Sequence, residues 1–171
     1  REFARDDLKP GVIERYSKGS YPYEQGKMMG ELGCLGMMVP PEYGGGGMSP
    51  MELFIFRQEM ALADAPHVGG QGTRQLGATL IVHGSEEQKA EHLPRILSGD
   101  VNWRQGYSEP GSGSDLASLQ TRAVRDGDEY VINGQKIWTS AAHMADALFM
   151  LVRTDPDAPK HRGISFFVLE D

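Results

Sequence analysis

The sequence predicts an α+β protein, helical to about residue 101 and antiparallel β thereafter. Three observations carry this. Two capping boxes, each a serine answered three residues later by Glu or Gln, stand in the first part at Ser49–Glu52 and Ser85–Gln88. Apolar residues there recur at helical spacing, whereas beyond Leu119 they alternate or form short runs rich in Val, Ile and Phe. Helical and strand patterns are segregated along the chain, which means one α+β domain or two domains. The boundary is placed between 101 and 102, giving parts 1–101 and 102–171.

In order, residues 1–39 read as helical, with Met28, Met29, Leu32 and Leu35 on one face of a helix over 23–35 that Gly33 and Gly36 stop. Pro40-Pro41 and Gly44–Gly47 make a turn; four glycines without a following Gly-Lys-Ser/Thr are not a phosphate loop. Ser49 caps the next helix, Pro50 takes its first position, and Met51, Phe54, Ile55, Gln58 and Leu62 form a stripe read as core. Asp64-Ala65-Pro66 ends it, and Gly69–Gly84 holds a glycine-rich helix start followed by Leu76, Leu80 and Ile81. Gly70-Gln71-Gly72 lacks the third glycine and the preceding strand of a dinucleotide fingerprint. After Ser85, Pro94 is expected to split the helix into pieces 86–92 and 94–98. In the second part, Asp126-Gly127-Asp128 is a turn, Tyr130–Ile132 a strand, and Asn133-Gly134 a hairpin signal from which Gln135–Thr139 returns. Ala147–Arg153 is a buried strand, Asp155–Gly163 a loop, and Ile164–Leu169 a last strand.

Composition narrows the function. A net charge of −7 gives no support for nucleic acid or an anionic membrane as partner. One cysteine, Cys34, forbids an intrachain disulfide and makes a reducing compartment the default: cytoplasm, or mitochondrial matrix in a eukaryote. Cys34 is expected to be buried on an apolar helix face and inert. No apolar run approaches a membrane span, and REFARDD is followed by no signal-peptide core. The missing initiator Met and the abrupt end after GISFFVLED suggest a fragment cut at both ends. Such a fragment should expose apolar surface and be prone to aggregate. Five scattered histidines show no ligand spacing, so no metal site is expected.

The chemistry concentrates in YSEPGSGSD, Tyr107–Asp115. Pro110 pushes Glu109 out of the helical region, Gly111 and Gly113 let a flat ligand approach, and Ser108, Ser112 and Ser114 offer hydroxyls. The stretch has two acids and no Lys or Arg, which favours a neutral heterocycle over a phosphate; the alternative is a solvated Gly/Ser turn. Glu109 is read as tying down its own loop, Asp115 as capping the turn at 116–119, and Arg122, Arg125 and Arg153 as solvated strand ends. A second stretch, NGQKIWTS (Asn133–Ser140), sets an aromatic beside two hydroxyls. Trp138 is a wall with one N–H handle, and Thr139 and Ser140 are donors beside it.

Together with PPEYGGGG (Pro40–Gly47), GSEEQKAEHLPRILSGD (Gly84–Asp100) and GDEYVINGQKIWTS (Gly127–Ser140), these stretches resemble the acyl-CoA dehydrogenase family in order and spacing, over nearly the whole chain. The resemblance implies an N-terminal helical domain and a truncated, barrel-like antiparallel middle domain that contacts FAD. It places Gln105, Tyr107 and Ser108 at flavin-contacting positions and Ser114 where flavin and the CoA thioester meet. Trp138, Thr139 and Ser140 match the family's aromatic-x-hydroxyl triplet, with Ser140, where many members carry Thr, nearest flavin N5. It also implies that the helix over 69–84 lines the acyl-chain cavity. The implied reaction is α,β-desaturation of an acyl-CoA, as in fatty-acid β-oxidation, with hydride passing to FAD. The family's glutamate base lies in a C-terminal helical domain, so no catalytic residue is assigned in this chain, and the chain alone is expected to bind FAD weakly without turnover. The implied partners are an acyl-CoA substrate, an electron-transfer flavoprotein and a homo-oligomer, tetramer or dimer. The alternatives are an acyl-CoA oxidase or flavin monooxygenase relative, and a non-catalytic binding or assembly module.

Overall fold

The structure is a computed structural model that describes residues 1–170. It divides into two compact units, Arg1–Asn102 and Trp103 onward.

The first unit is helical. A π-helical turn, Ala4–Leu8, precedes α1 (Val12–Lys18) and α2 (Tyr23–Glu31). Gly33, at φ 71°, ends the second helix four residues earlier than the apolar pattern suggests, so Met29 and Leu35 are buried while Leu32 is exposed. Cys34 then stands in a 3₁₀ turn, half-buried rather than wholly buried, with burial pushing its thiol pKa up. The PPEYGGGG stretch folds back along this turn: Gly46 N–H reaches Gly36 O at 2.9 Å and Met48 N–H reaches Met37 O at 2.7 Å.

Both predicted capping boxes are present, at the starts of α3 (Pro50–Leu62) and α5 (Glu86–Ser98). Between them, a π-helical segment, Gly72–Leu76, runs into α4 (Gly77–His83). Two expectations fail here. The stripe on α3 is not core, since Met51, Phe54, Ile55 and Leu62 are all more than half exposed. The helix is apolar on two faces, and the one bearing Phe56 and Met60 packs on the cluster of Leu8, Met29 and Leu35. Pro94 also does not split α5, which runs through it unbroken. Pro94 faces solvent, while Leu93 and Ile96 on the inner face are buried, so packing holds the helix across the missing N–H. Helices α2 and α5 cross closely: a Cβ on Gly30 would lie 2.2 Å from Ser98 O.

The second unit is an open five-stranded sheet. It comprises β1 (Trp103–Gly106), β2 (Arg122–Asp126), β3 (Glu129–Asn133), β4 (Ala147–Arg153) and β5 (Ile164–Glu170). Its centre is β4, which pairs antiparallel with β5 along its whole length. It also pairs parallel with β1 and, at Arg122↔Arg153, with β2. The sheet is therefore mixed and unclosed rather than antiparallel and barrel-like. The long excursion between β1 and β4 lets those strands run in the same direction. Ala123, Met150 and Val152 pack with Ile132, Phe167 and Leu169. Phe149 is fully buried, stacked on Phe166 and edge-on to Tyr107.

The β2–β3 hairpin closes through Asp126-Gly127-Asp128, as expected, but Asn133-Gly134 closes none. Gly134 instead passes against Thr121, where a Cβ would sit 2.6 Å from Thr121 Cα. The chain then runs beside the Tyr107–Glu109 loop, with Ile137 N–H donating to Ser108 O at 2.9 Å.

Candidate functional site

The two stretches singled out by sequence are bound to each other within the second unit. The turn at Pro110-Gly111 is closed by Ser112 N–H to Glu109 O at 3.0 Å, which leaves Gly111 and Gly113 exposed. The Glu109 side chain points inward. It accepts from Gln120 N–H at 2.6 Å, Thr121 N–H at 2.9 Å and Lys136 Nζ at 2.7 Å. Burial pushes the Glu109 carboxyl up, but the hydrogen bonds, Lys136's foremost, overcome this and hold it down to about 2. Lys136 Nζ also donates to Tyr107 O at 3.1 Å. Glu109 thus ties its own loop, as predicted, and also ties that loop to the NGQKIWTS stretch.

Of the predicted site residues, Gln105 lies on β1 and hydrogen-bonds the Tyr107 side chain. Tyr107 is half-buried against Phe149, and burial raises its phenol above the ordinary value while the Gln105 bond opposes the rise. The Ser108 carbonyl is the acceptor of the Ile137 bond, which brings Tyr107 and Ser108 beside the residue preceding Trp138. Trp138 is 85% exposed and its backbone sits at φ 59°, a left-handed conformation costly for a bulky residue. Thr139 is half-buried, Ser140 is exposed, and Ala141 repeats the left-handed φ of 59°. Ser114 is exposed at the far end of the glycine-rich turn. Next to it, Asp115 pairs with Lys160 at 3.2 Å and makes no side-chain cap, so only its carbonyl serves the 116–119 turn.

Sequence reasoning missed two cations. Lys136 reads as an ordinary strand lysine, and only its place in a run otherwise uncharged from Gly134 to Ala145 hints at burial. Arg153, expected to be solvated, is buried and donates to the carbonyls of Leu119, Ala117 and Lys160 at 3.0, 2.8 and 3.0 Å. It pins the 116–119 turn, which follows the YSEPGSGSD stretch, to the end of β4, whereas Arg122 and Arg125 on β2 are exposed as expected.

The first unit contains a cavity of about 740 Å³ lined by α3, α4 and the Cys34–Pro40 segment. Leu53, Phe56, Met60, Ala78 and Ile81 give it an apolar wall, with Arg57, Arg74 and His67 as polar members. Among the described residues no group of three or more His, Cys, Asp or Glu is arranged for a metal, and no helix is long and apolar enough to cross a membrane.

The site fits an aromatic, largely neutral cofactor. It presents an exposed indole followed by two hydroxyl-bearing residues, Thr139 and Ser140, on a left-handed backbone whose preceding residue is hydrogen-bonded to the Ser108 loop. Family comparison agrees. The acyl-CoA dehydrogenase N-terminal domain model matches residues 1–100 and the acyl-CoA dehydrogenase middle domain model matches 105–171. The chain belongs to the acyl-CoA dehydrogenase family. It is 47% identical to acyl-CoA dehydrogenase FadE26 of Mycobacterium tuberculosis, over 96% of this chain and 42% of that protein. Among solved structures it resembles the Tcur3481–Tcur3483 steroid ACAD, with a TM-score of 0.81 and 50% identity over 86% of this chain and 38% of that one. It also resembles the ChsE4–ChsE5 complex of Mycobacterium tuberculosis, with a TM-score of 0.85 and 46% identity over 95% of this chain and 42% of that one. The chain thus spans about two-fifths of the length of such relatives.

Proposed function

We propose that this chain is the helical and flavin-contacting portion of an FAD-dependent dehydrogenase that desaturates an acyl-CoA thioester between its α and β carbons. The observation that carries the reading is Trp138: a large aromatic left exposed, in a left-handed backbone, beside Thr139 and Ser140. Strain at an exposed aromatic is retained where a ligand uses it. FAD, when bound, supplies the hydride acceptor for the β-hydrogen.

The chain's own residues bind, orient and exclude water. Trp138 is the apolar wall of the flavin site, and Thr139 and Ser140 donate near N5. Gln105, Tyr107 and Ser108 would contact the flavin, Tyr107 and Ser108 at its pyrimidine edge, and the exposed Ser114 hydroxyl would serve flavin and thioester. The 740 Å³ cavity beside α4 receives the acyl group, with Ala78 and Ile81 lining it from that helix and Thr73 from the π-helical segment before it. No base is assigned here: Glu109, next to Ser108, is buried and committed to three donors, and Asp115, next to Ser114, pairs with Lys160. The α-proton is taken by a group outside these 171 residues. The assembly is an oligomer reoxidised by an electron-transfer flavoprotein. The paired chains of the two solved relatives favour a multi-subunit form.

The test is product analysis. The full-length protein, incubated with an electron acceptor and a panel of acyl-CoAs that includes steroid-derived ones, should yield a product lighter by two hydrogens. No such product from any thioester, in a protein that holds FAD, would refute the reaction.

A further inference from the structure

We propose that Lys136 is a positioning residue for the flavin-contacting surface: its ammonium locks the Tyr107 carbonyl and the Glu109 carboxylate together, and so sets where Tyr107, Ser108 and Trp138 stand. The inference rests on the flavin reading given above.

The Lys136 and Glu109 side chains are 9% and 7% exposed, and the bond between them is 2.7 Å. Burying such a pair rarely adds stability over an apolar pair of the same shape, because two charges must leave water. What the ammonium adds is direction. One of its protons fixes the backbone of Tyr107 at 3.1 Å, and another fixes Glu109, whose second oxygen holds Gln120 N–H at 2.6 Å. Three chain segments, 107–109, 120–121 and that of Lys136, therefore converge on the Glu109 carboxylate, with the ammonium closing the set. One residue further on, Ile137 N–H takes Ser108 O, and Trp138 follows at once in its left-handed conformation. One residue, Ile137, separates Lys136 from the exposed Trp138, so a shift at Lys136 is carried directly into the surface that meets the flavin.

Two variants of the full-length protein test this, Lys136→Met and the double Glu109→Gln/Lys136→Met. The single variant strands a buried carboxylate and should lose thermal stability; the double leaves no unpaired charge and should recover most of it. Both should bind FAD about tenfold or more weakly, since small misplacements at a preorganised site cost that much. In the apoproteins, amides of residues 136–140 should exchange faster while those of Ala147–Arg153 keep their protection. A double variant that binds FAD and protects residues 136–140 as the wild type does would overturn the proposal. A wild-type protein that takes up no FAD would instead refute the flavin reading, and the exchange comparison would still judge the lock.

Discussion

Replacing Glu109 with Gln probes the tie between the two site stretches through its dependence on pH. In the folded chain the Glu109 carboxyl is held at about 2 against an ordinary 4.5. At about 1.4 kcal/mol per unit, ionised Glu109 contributes on the order of 3 kcal/mol. Because the folded value is depressed, that contribution is fully present above about pH 4.5 and is lost as pH falls toward 2. By pH 3, roughly 2 kcal/mol of it should be gone. Glu109→Gln keeps the shape but leaves the Lys136 ammonium buried without its counter-charge, so at neutral pH the variant should be less stable by about 3 kcal/mol. The gap between wild type and variant should therefore narrow on acidification. Hydrogen exchange of the β4 amides in the full-length protein, corrected for intrinsic rates, reads the opening of this unit. A gap that stays constant from pH 7 to pH 3 would refute the argument.

Three further outcomes follow from the geometry. Arg153→Met strips three carbonyls of their donor and should cost about 3 kcal/mol by urea unfolding; a loss below about 1 kcal/mol would mean that water replaces the guanidinium. Pro94→Ala restores an N–H in the middle of α5 and should slow exchange of that helix's amides, with a gain of about 1–3 kcal/mol, unless the ring packs in a way its exposure denies. Trp138→Gly relieves a left-handed backbone and removes a mostly exposed ring, so folding stability should move by no more than about 1 kcal/mol. FAD affinity should nevertheless collapse; a stability loss of several kcal/mol would show that the indole is structural.

The helix starts were legible because each is set locally. Ser49 and Ser85 bond the backbone three residues away, and that chemistry is written in the sequence. The β2–β3 hairpin was legible for the same reason, since Gly127 takes the positive φ its turn demands. What failed depends on contacts distant in sequence. Which apolar face of α3 is buried is decided by Leu8, Met29 and Leu35. Gly134 resembled a hairpin glycine, but its role is a close pass against Thr121. Arg153 and Lys136 are buried because carbonyls and a carboxylate many residues away converge on them. The site stretches could be singled out from their residue types and family resemblance, whereas the ion pair that joins them required the fold.

The measurement closest to the central claim is the visible spectrum of the full-length protein before and after anaerobic addition of acyl-CoAs, linear and steroid-derived. Flavin bands that bleach with one class of thioester are the predicted result and would name the substrate. A protein that shows no flavin bands after incubation with excess FAD and removal of the unbound cofactor, or whose bands survive every thioester, would contradict the account.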